Sequence, residues 1–253
     1  MNDFVKRESI VREIWGKGDT ILFIFAGASA EFALNKAVDW LFFTGRLPAD
    51  PLGRLFSTVN YARQIIFYDI ETAEQAIDKM TAIHSGVETS RGASIPDWAY
   101  RDVLFMLIDY SIRSYELLER KLTETEKEEV CNVFFNVGHR MGLKGLPCNL
   151  LEWREMRADH LNKNLENGNY TSELYKQYKK HLGKIRYKLL REAQILVVPE
   201  KVNGMLMLGK FSLIKPVLQL YKLSRKLKLD SFMKSLILPS KYEIEIKALD
   251  KKY

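Results

Sequence analysis

An all-α fold is predicted by three observations on the sequence. Apolar residues recur at helical spacing, as in Ala73, Ala76, Ile77, Met80, Ile83 and Val87. Helix starts are spelled out by Asp50-Pro51 and by the capping box of Thr123 and Glu126. Strand signals are nearly absent, with no hairpin pattern and no sustained period of two. The expectation is a single-domain bundle of about eight to ten helices over residues 1–253.

In chain order, residues 2–15 read as a short amphipathic helix ending at Gly16. Asp19 or Thr20 caps the next helix, from Ile21 to about Phe43, with a break near Asn35. Its greasy part, Ile21–Leu34, is too short to span a bilayer and contains Glu31, so it is expected in the core. The small residues Ala26 to Ala30 admit either a neighbouring helix or a flat ligand. Glu31, Asn35 and Asp39 are spaced four apart and share a face, either solvated or available to orient an arginine. Thr44–Ala49 is a connector.

Two successive helices follow. In the first, Arg54 and Thr58 are four apart and stack on one face, with Ser57 beside them. The second starts near Asp69 or Glu71 and carries His84 inside its apolar stripe. A core-facing histidine has two readings. It is a neutral imidazole satisfied by hydrogen bonds, or it is a metal ligand. Spacing does not choose between them. Gly86 is read as loosening the chain, with Glu88–Ile95 a polar loop.

The helix from Pro96 to Leu118 is apolar nearly all round and therefore central. Asp102, Asp109 and Arg113 interrupt it. Asp109 and Arg113 are placed to pair, as an internal ion pair or as support for a nearby site. Thr123 to Met141 forms the next helix, with His139 capping its C-terminus. Leu150–Leu165 is another, with His160 expected to be exposed among charged neighbours. Thr171 to Leu196 is strongly basic, with Lys176, Lys179, Lys180, Lys184, Arg186, Lys188 and Arg191. A solvated face is the default and acidic lipid or a redox partner the minority reading. A further helix from Lys210 to Leu227 restarts or kinks at Pro216. Lys241–Tyr253 mixes charged and apolar residues and is expected to be loosely held.

The ordered pieces DPLGRLFST (Asp50–Thr58), the Glu74–Val87 run ending IHSGV, Pro96–Leu118, Leu122–Val130 and Gly138–Leu150 resemble one family. It is the catalytic domain shared by latex-clearing proteins (rubber oxygenases) and MpaB-type oxygenases. The resemblance covers roughly residues 15–165, leaving 166–253 as basic C-terminal helices. It implies a b-type haem held by His84 as iron ligand. Arg54 and Thr58 stand on the opposite side in catalytic roles, with Arg54 and Ser57 beside the cofactor. Latex-clearing proteins carry a lysine where Ser57 stands, so rubber cleavage itself is not implied. The implied function is a haem-dependent oxygenase acting with dioxygen on an apolar substrate, isoprenoid or unsaturated and lipid-like. The alternative is a non-catalytic binding, carrier or haem-handling protein that keeps the fold.

Composition bounds the remaining classes. The chain is 47% hydrophobic and 28% charged, an ordinary globular mix, with formal net charge +7. That balance favours anionic surfaces, including a peripheral membrane contact. No arginine–aromatic module for nucleic acid appears. Cys131 and Cys148 match no metal spacing and no disulfide framework. No secretory leader is recognised, so a cytoplasmic or membrane-associated place is expected.

Overall fold

The computed structural model describes residues 3–45 and 49–225. The expectation for Lys241–Tyr253 lies outside the described residues, as does the end of the helix expected to reach Leu227. The described residues form eleven helices and no strand. These are α1 (Ile10–Trp15), α2 (Gly18–Phe32), α3 (Asp39–Phe43), α4 (Pro51–Phe67), α5 (Ile70–Arg91) and α6 (Asp97–Leu118). After them come α7 (Glu124–Arg140), α8 (Leu150–Lys163), α9 (Asn169–Val197), α10 (Glu200–Leu206) and α11 (Ile214–Arg225). The fold is a single all-α domain.

α2 and α6 form its axis. Gly27 lets them approach: a methyl group there would lie 2.2 Å from the Tyr110 ring. The small-residue stretch thus serves helix packing at Gly27 and Ala30. Ala26, Ala28 and Ser29 line a cavity described below. α6 buries residues on every side, as its sequence predicts. Trp15 is fully buried against Phe25 and Phe134 and donates its indole N–H to Ser111 (3.2 Å).

Three expectations are corrected. The first helix starts only at Ile10, because the Ser9 hydroxyl caps it and Asp3 pairs with Arg7 and Arg12 ahead of it. The chain does break around Asn35, as expected, with α2 ending at Phe32 and α3 starting at Asp39, so Glu31, Asn35 and Asp39 do not share the helix face expected of them. α5 does not loosen at Gly86 but runs on to Arg91. A glycine inside a helix costs only about 1 kcal/mol, whereas a stop needs a left-handed residue. Gly92 supplies it at φ 67°, and its N–H meets the Glu88 and Thr89 carbonyls.

The predicted caps at Asp50 and Thr123 are formed, the latter as a complete capping box, and of the two expected starts for α5 the Asp69 one holds, its side chain accepting from the Thr72 N–H. α9 is broken at Gly183, whose φ of 71° with ψ of 176° is open to glycine alone. Beyond that break α9 turns its second half over the bundle. Glu192 there accepts hydrogen bonds from Ser212 (2.9 Å) and the Leu213 N–H (2.6 Å), fixing the approach to α11.

Candidate functional site

α4 and α5 form a hairpin turned at Tyr68-Asp69. Arg54 stands fourteen residues before Tyr68 and His84 fifteen after Asp69. At about 1.5 Å per residue both lie roughly 21–23 Å from the turn, at one level. The periodicity that places Arg54, Ser57 and Thr58 on one face therefore turns them toward the wall carrying His84. All four line one cavity of about 1070 Å³.

That cavity is at the upper end of the range for cofactor and ligand sites. Its walls are overwhelmingly apolar. Leu22, Phe25, Ala26 and Ser29 of α2 form one side, and Ala99, Val103 and Met106 of α6 another. Leu182, Arg186, Leu189, Leu190 and Ala193 of α9 and Leu218 of α11 close it. Trp40 of α3 is held at its edge by Arg91, which stacks on the indole at 4.0 Å and pairs with Asp39 at 2.6 Å.

The His84 ring is largely withdrawn from water, and its buried Nδ1 has no hydrogen-bond partner among the described residues. Burial first, and then the Arg54 charge, push its pKa below the usual 6.5, with Glu88 opposing. The imidazole is therefore neutral, the form that ligates metals. Tyr100 packs edge-on against the ring, with centroids 5.3 Å apart. Tyr100 in turn donates its hydroxyl to Glu88 (3.3 Å), which also accepts from the Ile95 N–H (2.8 Å). Glu88 lies four residues after His84, so one turn of α5 braces the ring. Tyr100 and Glu88 went unnoticed in the sequence because the helix was read as loosening at Gly86; the i, i+4 spacing was the available signal.

Thr58 donates its hydroxyl to the Arg54 carbonyl (3.0 Å), which leaves its oxygen lone pairs toward the surroundings. Among the described residues no group of three or more His, Cys, Asp or Glu is placed to hold a metal ion.

The other predicted polar positions are elsewhere. Asp109 does not support His84. It accepts from Arg113 (2.6 Å) and from Arg157 (2.9 Å), the internal ion-pair reading. His160, expected to be exposed, is buried between Glu31 (Nε2 to Oε1, 2.9 Å) and Asp102 (Nδ1 to Oδ2, 2.6 Å). Its neighbours Glu155, Asp159 and Lys163 point outward, whereas Arg157 and His160 itself, one turn apart on α8, face the bundle. Glu31 also accepts from Arg157 and from the Tyr110 hydroxyl (2.8 Å). His139 is exposed in the last turn of α7, as predicted. Cys131 is buried and Cys148 exposed, both as free thiols.

Residues 15–220 match the family model described as "ER-bound oxygenase mpaB/B'/Rubber oxygenase, catalytic domain". The chain belongs to this oxygenase family. No curated protein and no solved structure matches it. Within the mpaB/rubber-oxygenase family, rubber oxygenases are haem-dependent in general. The match reaches past Asn169 through α9 and α10 and into α11, so the helices that roof the cavity belong to the family domain.

The residues of this family member fit such a group. A neutral, buried imidazole nitrogen without a partner is the donor a haem iron takes from one side. The apolar cavity beside it has room for a flat macrocycle. Arg54 supplies a cation at the same level.

Proposed function

We propose that the chain is a haem b-dependent oxygenase, with His84 as the proximal iron ligand and an apolar, isoprenoid or unsaturated lipid-like molecule as substrate. The supporting observation is the unpartnered Nδ1 of His84 in the wall of the large apolar cavity. A structural histidine at this burial would be satisfied by hydrogen bonds. Rubber-type family chemistry gives the reaction class: dioxygen adds across a carbon–carbon double bond, which breaks to leave one oxygen atom on each new carbonyl carbon.

When bound, haem b supplies the redox chemistry with dioxygen. The chain's residues do the rest. His84 offers a neutral lone pair, and Glu88 with Tyr100 keeps its ring oriented. Arg54 presents charge-assisted donors to an anionic or polarised oxygen, and Thr58 presents an acceptor beside it. Ser57 is too short to ligate iron as a lysine would, so it would leave the cavity beside it open. The apolar walls hold the substrate by burial and keep water out.

The test is an absorption spectrum of purified protein reconstituted with haemin. A Soret band near ~400 nm, together with dioxygen uptake and carbonyl products from an unsaturated substrate, is the expected result. Reconstituted protein that stays colourless sinks the assignment.

A membrane contact is part of this proposal. Phe211 (88% exposed), Met207 and Leu213 project beside Lys210 and Lys215. Val217, in the next turn, is both half-exposed and on the cavity wall. Apolar side chains flanked by lysines suit an anionic bilayer surface. No helix among the described residues is long and apolar enough to cross a membrane. Co-sedimentation with vesicles containing phosphatidylserine, lost in Phe211→Asp and absent with neutral vesicles, is the expected behaviour.

A further inference from the structure

Three cavity-lining residues carry a buried side-chain nitrogen with no hydrogen-bond partner among the described residues: His84 Nδ1, Asn35 Nδ2 and Arg186 Nε. His84 is accounted for above. The other two are both donors, and burying an unsatisfied donor is destabilising unless a ligand meets it. The Asn35 amide is oriented by the Ala37 N–H, which donates to Oδ1 (2.8 Å) and so leaves Nδ2 as the free end. Asn35 is itself almost completely buried.

Arg186 is the odd member of an apolar stripe. The residues around it on the cavity face of α9 are Leu182, Leu189, Leu190 and Ala193. A leucine would fill its place with less penalty, and no carboxylate pairs with it among the described residues. Leu182 and Leu190 pack in one cluster with Ala33 and Val38, the segment that also carries Asn35. The two donors therefore border the same part of the cavity. The cavity face of this basic helix lies on both sides of Gly183, from Tyr178 and Leu182 before it to Leu190 and Ala193 after it.

We propose that Arg186, on a wall whose neighbouring residues pack against the segment carrying Asn35, binds a carboxylate inside the cavity. The ligand is thus an acid with an apolar body, not a pure hydrocarbon. An Arg fork takes a carboxylate through two parallel hydrogen bonds, and low dielectric strengthens them. The proposal rests on the same cavity as the oxygenase reading. Two sources supply this chemistry: the carboxylate of an unsaturated fatty-acid-like substrate, or a propionate of the haem.

The experiment separates them. Haem-free protein is titrated with cis-parinaric acid and with its methyl ester, read by the polyene fluorescence. It is then titrated with haemin and with haemin dimethyl ester, read by absorption. Wild type, Arg186→Gln and Arg186→Lys are compared. If a substrate carboxylate is the ligand, Arg186→Gln weakens parinarate by roughly 30-fold or more, leaves the ester unchanged, and Arg186→Lys recovers part of the loss. If a propionate is the ligand, the same pattern appears with haemin and its ester. Equal losses for acid and ester, or no loss in either pair, overturn the proposal. Circular dichroism of each variant excludes unfolding as the cause of any loss. Failure of haemin to bind wild type sinks the oxygenase reading alone, because the fatty-acid arm needs no haem.

Discussion

Two inward-facing histidines sit in this bundle, His160 fully buried and His84 partly, and their surroundings are opposite. His160 is held at both ring nitrogens by carboxylates, inside a cluster with Arg157, Arg113, Glu31, Asp102 and Asp109. If His160 is protonated, three cations face three anions. His84 faces an apolar cavity with a ring nitrogen unsatisfied. Burial lowers the pKa of both rings, but Asp102 and Glu31 reverse it for His160, which is raised overall, whereas Arg54 adds to it for His84. One histidine is spent on holding helices α2, α6 and α8 together. The other, in the oxygenase proposal, is the ligand of haem iron. An imidazole's use is decided by what it is given to bond, not by its burial.

The largest break of this comparison is His84→Ala. The haem Soret band should be nearly lost while far-ultraviolet circular dichroism stays close to wild type. Full haem occupancy in this variant would remove His84 as the ligand. The matching change at the other centre is Arg157→Ala, which leaves Glu31 and Asp109 buried without their shared cation. It should lower stability by about 3–5 kcal/mol in urea denaturation. A loss under ~1 kcal/mol would mean that the cluster is wet or loosely held.

Acid and base should sharpen the contrast, because the two rings give slopes of opposite sign. His160 binds its proton more tightly folded than unfolded. Its contribution is complete below about 6.5 and is lost as pH rises through the raised folded value. His84 binds its proton less tightly folded. In haem-free protein its neutral form favours folding above about 6.5, and that stability falls as pH drops toward the depressed folded value. His160→Gln should flatten the alkaline slope and His84→Ala the acidic one. Reversed slopes would contradict both assignments. Glu31 is pulled down to about 2: burial raises it, but Arg157 and His160 outweigh that, so its contribution is complete above about 4.5 and is lost progressively as pH falls toward about 2.

The smallest effect expected is from Arg54→Ala. Haem should still bind, the reaction with dioxygen should slow, and the His84 imidazole in haem-free protein should titrate at a higher pH by NMR once that charge is gone. Unchanged turnover and titration would leave Arg54 without a role at the site.

Much of the architecture was legible beforehand because it is local. Helix starts at Asp50, Asp69 and Thr123 depend on a side chain and a backbone N–H two or three residues away, and they formed as read. The apolar circumference of α6 announced a central helix in the same way. Arg54, Ser57, Thr58 and His84 were singled out through their spacing and family resemblance, and the hairpin brings them to one cavity.

What the sequence could not decide was set by contacts between helices far apart in the chain. His160 lies 129 residues from Glu31, and its charged neighbours in sequence gave no sign that its own position faces inward. Arg186 reads from the sequence as one of many solvated cations, and only the packing of α9 along the cavity shows it on the inner wall. Periodicity says which residues share a side of a helix. Which side meets carboxylates, which meets an empty apolar space and which meets water depends on how the helices pack, and only the folded chain fixes that.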